Sequence, residues 1–185
     1  MERTKNTDKN RLRRIIPEFM GSEDMQNKPK IEYVCGNEAL LDSIKLLWQS
    51  LKKHHLDLSP CFKQDYVEMN FEKRKAFFIE KAKNAELRVD IAVDVRSGQN
   101  VGYCVSSIDK EKTGEIESLF VASNYRGFGI GDSLMRRVLT WMDKKATGAK
   151  IVEVAAGNEK AISFYNRYGF FTRRTVLKQI IKCKN

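Results

Sequence analysis

The chain has 185 residues, of which 42% are apolar and 31% charged, and its formal net charge is +10. These proportions are ordinary for one soluble domain that can bury a core. No apolar run approaches the roughly 20 residues needed to cross a bilayer, and the basic N-terminus lacks the apolar segment of a secretory signal. The sequence therefore predicts a cytoplasmic protein that does not contact membranes.

The positive charge is dispersed, and no stretch interleaves aromatic residues with arginines as an RNA-binding strand does. A basic surface or a phosphate-rich ligand explains this charge better than a nucleic-acid partner does. Cys35 and Cys104 lie in apolar segments and are expected in the core. His54 and His55 are adjacent, and no cysteine spacing is typical of metal ligands, so the sequence predicts no metal site.

The predicted elements begin after a basic arm. Residues 1–29 are polar, lack an apolar period and end near Pro29, so we expect a flexible arm preceding a domain at 30–185. Apolar patterns then predict a strand over 31–35, helices over 38–54 and 71–82, and strands over 87–95, 101–108 and 115–121. Asn37 is the expected N-cap of the first helix. In the second helix, Phe77, Phe78 and Ile79 are expected to face inward.

The organisation changes after the strand at 115–121. A glycine-bearing loop over 122–129 leads to a helix over 130–145, whose inward face is expected to hold Leu134, Met135, Val138, Leu139 and Met142. A strand over 151–155, a helix over 159–168 and a final strand over 173–182 follow. The order β-α-α-β-β-β-α-β-α-β predicts a single-domain α/β fold with a mixed central sheet and helices on both faces.

The loop Tyr125-Arg126-Gly127-Phe128-Gly129-Ile130-Gly131 carries the clearest chemical signal. Its three alternate glycines let successive N–H groups turn into one concavity, and the following helix adds its unpaired N-terminal N–H groups and dipole. Arg126 can add a bidentate charged contact. Neither the dinucleotide fingerprint nor a P-loop is present. The loop therefore favours a pyrophosphate, and a glycine-rich turn without a ligand is the alternative.

The same loop resembles the R/Q-x-x-G-x-G/A signature of the GNAT superfamily of acetyl-CoA-dependent N-acetyltransferases. Residues 158–161 and 164–170 resemble that family's N-x-x-A and F-Y-x-x-x-G-F segments, and the element order from residue 31 onward is similar to the GNAT fold. The resemblance implies an enzyme that transfers the acetyl group of acetyl-CoA to a primary amine of a small molecule or peptide by direct attack. Within the family, the loop looks most like that of diamine (polyamine) acetyltransferases.

The resemblance also implies where acetyl-CoA would lie. Backbone groups of Leu119, Phe120 and Val121 would pair with the pantetheine arm as an added strand does, which requires this strand to part from the next one. The remaining implied contacts are to the pyrophosphate, from Arg126, Gly127, Phe128, Gly129, Ile130, Gly131 and Asp132, and to the lower part of the cofactor, from Asn158 and Ala161.

Two catalytic residues are predicted. A phenol with a pKa near 10 can protonate a departing thiolate, and Tyr165 matches the tyrosine that acts as general acid in many GNAT enzymes; the alternative is a core aromatic. Glu117 is the candidate base, and it could instead hold the ammonium group or lie at a solvated strand end. The strand alternation predicts that Glu115, Glu117, Leu119 and Val121 share one face.

The acceptor is left open by the sequence. A polyamine pocket should be lined with carboxylates, and Asp57, Asp65 and Glu68 are candidate sources, although each could be ordinary solvated charge. Peptide N-termini, lysine side chains and aminoglycosides are further acceptors to consider. A CoA-binding module without catalysis is the alternative function, and a homodimer is a further open point.

Overall fold

The computed structural model describes residues 28–59 and 61–179, so the predicted arm lies outside the described residues except for its last two positions. Within them, five strands form one mixed sheet in chain order. The strands are β1 (Ile31–Gly36), β2 (Ala85–Asp94), β3 (Gln99–Asp109), β4 (Thr113–Val121) and β5 (Ala149–Val152). The first four pair antiparallel, and β5 pairs parallel with β4.

Helices cover both faces of the sheet. They are α1 (Lys45–Leu58), α2 (Lys63–Glu68), α3 (Phe71–Ala82), α4 (Ile130–Lys144) and α5 (Glu159–Asn166). A 3-10 helix, Glu38–Ile44, precedes α1, and the Asn37 side chain accepts a hydrogen bond from the Ala39 N–H at 3.2 Å, as expected of an N-cap. The predicted α/β fold class with a mixed sheet and helices on both faces is confirmed.

Two apolar cores lie on opposite faces of the sheet. One forms beneath α4 and includes Leu134, Met135, Val138 and Met142, all fully buried, with Leu139 partly buried beside them. These are the predicted inward residues of that helix, because three- and four-residue steps place them on one side. The other core joins the 3-10 helix, α1 and α3 to the opposite face of the sheet.

Two expectations about apolar residues are wrong. Phe78 is buried, but Phe77 and Ile79 are 48% and 43% exposed. Consecutive helical residues point in directions about 100° apart, so three in a row do not share one face. Cys104 is buried as expected, whereas Cys35 is exposed because it lies on the edge strand β1.

The prediction of a final strand over 173–182 is also wrong for residues 173–179, the part that the structure describes. Residues 171–179 form no regular secondary structure. Phe171, Val176 and Leu177 are 75%, 88% and 92% exposed, so β propensity here is not matched by a partner strand or a packed face. Residues 180–182 of that prediction lie outside the described residues.

Candidate active site

A cavity opens where β4 and β5 part. Their parallel pairing runs from Thr113 opposite Ala149 to Ile116 opposite Val152 and then stops. The predicted strand over 151–155 accordingly ends early. Beyond this point a cavity of about 310 Å³ lies between β4, α1, α3 and the start of α5. The parted strands leave the cavity edge of β4 without a neighbouring strand. A pantetheine arm that pairs with β4 as an added strand would require such an opening.

A β-bulge shapes β4 at this opening. On β3, Val105 pairs with Ser118 while Ser106 pairs with Ile116, so Glu117 is the extra residue. A bulge interrupts the alternation of side chains along a strand. The prediction that four alternate residues of β4 share one face is therefore wrong. Glu115 and Glu117 contact Lys81 of α3, whereas Leu119 and Val121 pack into the core beneath α4.

The backbone of β4 beyond the bulge faces the opening at alternate residues. The Val121 carbonyl oxygen accepts a hydrogen bond from Arg126 Nε at 3.0 Å, so it points away from β3. Because backbone groups alternate in direction along an antiparallel strand, those of Leu119 point the same way and those of Phe120 point toward β3. The Arg126 guanidinium lies 5.4 Å from the centre of the Phe120 ring, so this arginine folds back over the end of β4.

The glycine loop has the conformation its sequence requires. Gly127 and Gly129 have φ of +85° and +75°, in the left-handed region that favours glycine. A Cβ at either position would meet no atom within 4 Å, so the space beside the loop is open. Helix α4 starts without a side-chain cap, and Ser133 is the first residue whose N–H bonds back to Gly129. The preceding N–H groups, including that of Gly131, therefore present an uncapped helix N-terminus that fits a pyrophosphate.

Side chains that follow α5 hold the start of α4. The Asp132 carboxylate accepts a hydrogen bond from the Tyr168 hydroxyl and forms an ion pair with Arg167 at 3.0 Å. Burial is the main cause that raises the pKa of Tyr168 to about 12, and the hydrogen bond to Asp132 is the second. The Asn158 side chain accepts a hydrogen bond from the Ala161 N–H at 3.2 Å and caps α5. The segment resembling N-x-x-A thus forms the first turn of the helix beside the glycine loop.

Tyr165 lies at the boundary between core and cavity. It is 8% exposed, and its ring packs against Phe164 at 5.3 Å and Phe170 at 6.1 Å between ring centres. The same residue lines the cavity. Burial raises the pKa of Tyr165. Its hydroxyl has no hydrogen-bond partner anywhere in 28–59 or 61–179, so packing of the ring and chemistry at the hydroxyl are compatible.

The Glu117 carboxylate is held on one side only. Its side chain is 4% exposed, and Oε1 accepts a hydrogen bond from Ser107 Oγ at 2.7 Å and contacts Lys81 Nζ. Burial by itself lowers the pKa of Lys81, but hydrogen bonds to Glu115 and Glu117 outweigh it, so the pKa is raised. Oε2 has no partner in the described part of the chain.

Two residues of α3 that reach the site were not predicted from the sequence. Arg74 and Lys81 lie seven positions apart on one face of α3, with Phe78 between them, and both reach β4. Their spacing is a helical one, but charges at this spacing usually mark a solvated face, so the pattern alone did not identify them. Lys52 of α1 also lines the cavity and donates hydrogen bonds to two backbone carbonyls just before α3.

The described residues lack two further kinds of feature. They bring together no group of three or more His, Cys, Asp or Glu side chains that could hold a metal ion. In the same ranges, no helix is both long enough and apolar enough to span a membrane. His54 and His55 lie side by side on α1, and burial is the main cause that lowers the pKa of each.

Comparison with known proteins agrees with this architecture. The profile of the "Acetyltransferase (GNAT) family" matches residues 48–170. This match covers more than half of the chain and spans the cavity, the glycine loop and α5. The chain therefore belongs to the GNAT acetyltransferase family.

Individual proteins are similar to the chain in part of the sequence or in fold. Over 88 residues the chain is 35% identical to the protein named uncharacterized N-acetyltransferase MJ1207 of Methanocaldococcus jannaschii; the match covers 43% of this chain and 38% of that protein. The structure of a tetramutant of BH1408 from Bacillus halodurans has a TM-score of 0.62 and 17% identity, covering 81% of this chain and 99% of its own. The aminoglycoside N-acetyltransferase AAC(6')-Iy in complex with CoA has a TM-score of 0.60 and 18% identity, covering 84% and 97%. At these identities the two solved structures show a shared fold.

Proposed function

We propose that the protein is an N-acetyltransferase that moves the acetyl group of acetyl-CoA to a primary amine. The observation that carries the proposal is the parting of β4 and β5 beside Tyr165, where the backbone of Leu119 and Val121 faces the opening and leads to the glycine loop. A thioester arm can pair with this edge as an added strand, and its pyrophosphate can meet the uncapped N-terminus of α4. Membership of the family and the CoA complex of AAC(6')-Iy support this choice of cosubstrate.

The reaction needs an amine nucleophile and a proton for the leaving thiolate. The amine nitrogen attacks the thioester carbonyl carbon, a C–N bond forms, and the C–S bond breaks. In our proposal the Tyr165 phenol protonates the departing sulfur, and the second proton, which the new amide nitrogen releases, restores the phenol. Burial raises the pKa of Tyr165, but the same surroundings destabilise a thiolate, so the driving force for proton transfer is largely preserved.

Glu117 is our candidate for the proton acceptor. Because both of its contacts fall on Oε1, Oε2 is available to an amine in the cavity that Glu117 lines. An alkylammonium has a pKa near 10.4 and must lose a proton before it attacks. Glu117 would hold the ammonium group at Oε2 and take that proton, directly or through one water molecule.

The cofactor part of the proposal is tested with Gly129→Asp. CoA should raise the melting temperature of the wild-type protein, because a ligand that binds only the folded state stabilises it. The variant should lose this shift, since a carboxylate would stand where the pyrophosphate is expected. The measurement is a thermal melt with and without CoA.

Gly98→Asp is the matched control. Gly98 also has a left-handed φ, of +69°, and a Cβ there would likewise meet nothing within 4 Å. Both variants therefore carry similar backbone strain, but Gly98 lies in the turn between β2 and β3. A CoA shift that survives in Gly129→Asp, or is lost equally in both variants, would remove the glycine loop from the cofactor site. Release of free thiol on adding acetyl-CoA and amines then separates an enzyme from a CoA-binding module.

A further inference from the structure

The charges around the cavity indicate what kind of amine it accepts, an inference that rests on the proposed function. Asp57, Asp65 and Glu68, the carboxylates considered for a polyamine pocket, do not line the cavity. Its charged walls instead include Arg74 and Lys52 as well as Glu117 and Glu153. A cavity with both signs of charge does not match a ligand that carries positive charge alone.

Arg74 is the cation with unused hydrogen-bonding capacity. Its Nη2 donates a hydrogen bond to the Glu117 carbonyl oxygen at 2.9 Å, and its guanidinium lies 4.3 Å from the centre of the Phe78 ring. Burial lowers the pKa of Arg74, while nearby Glu117 opposes the shift. Among the described residues its guanidinium forms no ion pair with a carboxylate. A guanidinium has five N–H donors, so most of them are left for a ligand.

Lys52 differs from Arg74 in this respect. Its ammonium group donates hydrogen bonds to the carbonyl oxygens of Val67 and Met69, at 3.2 Å and 2.6 Å. These bonds hold the end of α2 and the residue that follows it against α1. Arg74 is therefore the better candidate for an anion, because its planar fork matches the two oxygens of a carboxylate.

We propose that the acceptor is an amino acid, with its amine at Glu117 and its carboxylate at Arg74. Arg74 donates a hydrogen bond to the backbone carbonyl oxygen of Glu117, and the Oε2 atom of the same Glu117 is available to the amine. The Arg74 guanidinium and the Glu117 carboxylate therefore lie side by side along β4. Ligand groups that meet them must be only a few bonds apart. A polyamine would instead bring a second positive charge toward Arg74, and the two like charges would repel each other.

The test uses pairs of acceptors that differ only by a carboxylate. Suitable pairs are ornithine with putrescine, lysine with cadaverine, and tryptophan with tryptamine. Wild-type kcat/KM should favour the amino acid of the preferred pair by about 10- to 100-fold, the usual effect of a charged hydrogen bond. Arg74→Gln should bring this ratio close to one, mainly because kcat/KM falls for the amino acid. Arg74→Lys, which keeps the charge but not the fork, should give an intermediate ratio.

Lys73→Gln is the control, because it removes one positive charge from an exposed position of the same helix, outside the cavity. Its ratio should equal that of the wild type. A wild-type preference for the decarboxylated amines, or an unchanged ratio in Arg74→Gln, would overturn the inference and leave the acetyltransferase proposal intact. If Arg74→Gln instead raises the KM for acetyl-CoA equally with every acceptor, Arg74 only supports β4, and the inference is overturned as well. If CoA stabilises the protein but no acceptor of any pair reacts, both the proposed activity and this inference fail.

Discussion

Replacing Tyr165 with phenylalanine should lower turnover by roughly 10²–10⁴, the usual contribution of a general acid, with little change in CoA affinity. The variant keeps the ring that packs against Phe164 and Phe170. Because the hydroxyl has no partner among the described residues, its removal leaves no buried polar group unsatisfied. The free energy of unfolding should therefore change little.

The measurement combines kcat on the preferred acceptor with the Kd of CoA from calorimetry. Tyr168→Phe is the control, since it removes a phenol on the segment after α5 that bonds to Asp132 and does not line the cavity. That variant should alter stability or CoA affinity more than kcat. Near wild-type turnover in Tyr165→Phe would make Tyr165 a core aromatic, and equal losses of rate and of CoA affinity would give it a positioning role.

The pH dependence gives an independent check on Tyr165. Burial raises the pKa of its phenol above the ordinary value of about 10. The protonated donor form is favoured below the folded-state pKa and is lost as the pH rises through it. Wild-type kcat should therefore show no fall caused by phenol ionisation up to about pH 10. A fall in kcat centred near the ordinary phenol pKa that disappears in Tyr165→Phe would contradict the effect of burial on the Tyr165 phenol.

Local patterns were sufficient to predict most of the elements. The helix predicted over 71–82 coincides with α3 (Phe71–Ala82), and the helix over 130–145 ends one residue early in α4 (Ile130–Lys144). Both have apolar residues at helical spacing and a clear start, at the Asn70 cap in one case and at Gly129 in the other. The conformation of the glycine loop could also be predicted, because backbone positions with left-handed φ values favour glycine.

The features that were not predicted depend on contacts between distant segments. The bulge at Glu117 is a property of the register between β3 and β4, and nothing in the sequence of β4 marks it. Arg74 is an ordinary helical arginine until α3 is placed against the carbonyl oxygen of Glu117. The apolar residues over 173–179 have the composition of a strand, but pairing requires a partner edge that composition does not specify.

Removing the buried carboxylate of Asp90 should strongly destabilise the fold. Asp90 is fully buried in β2 and accepts two hydrogen bonds from Arg88, at 2.6 Å and 2.9 Å, and one from Arg137 of α4 at 2.8 Å. Removing one partner of a buried ion pair leaves an uncompensated charge. Asp90→Ala should therefore cost about 3–5 kcal/mol in the free energy of unfolding, a large part of the roughly 5–15 kcal/mol typical of a domain.

Urea denaturation with the slope m compared between variants measures this cost. Asp143→Ala is the matched control, because Asp143 forms an ion pair with Lys150 at 2.7 Å while its side chain is 66% exposed. An exposed pair of this kind contributes about 0–1 kcal/mol. A loss of under about 1 kcal/mol in Asp90→Ala would mean that both guanidinium groups reach water once the carboxylate is gone. Arg137 ties α4 to β2, and α4 begins at the glycine loop that we propose holds the pyrophosphate. A large loss should therefore also weaken CoA binding in the protein that is still folded.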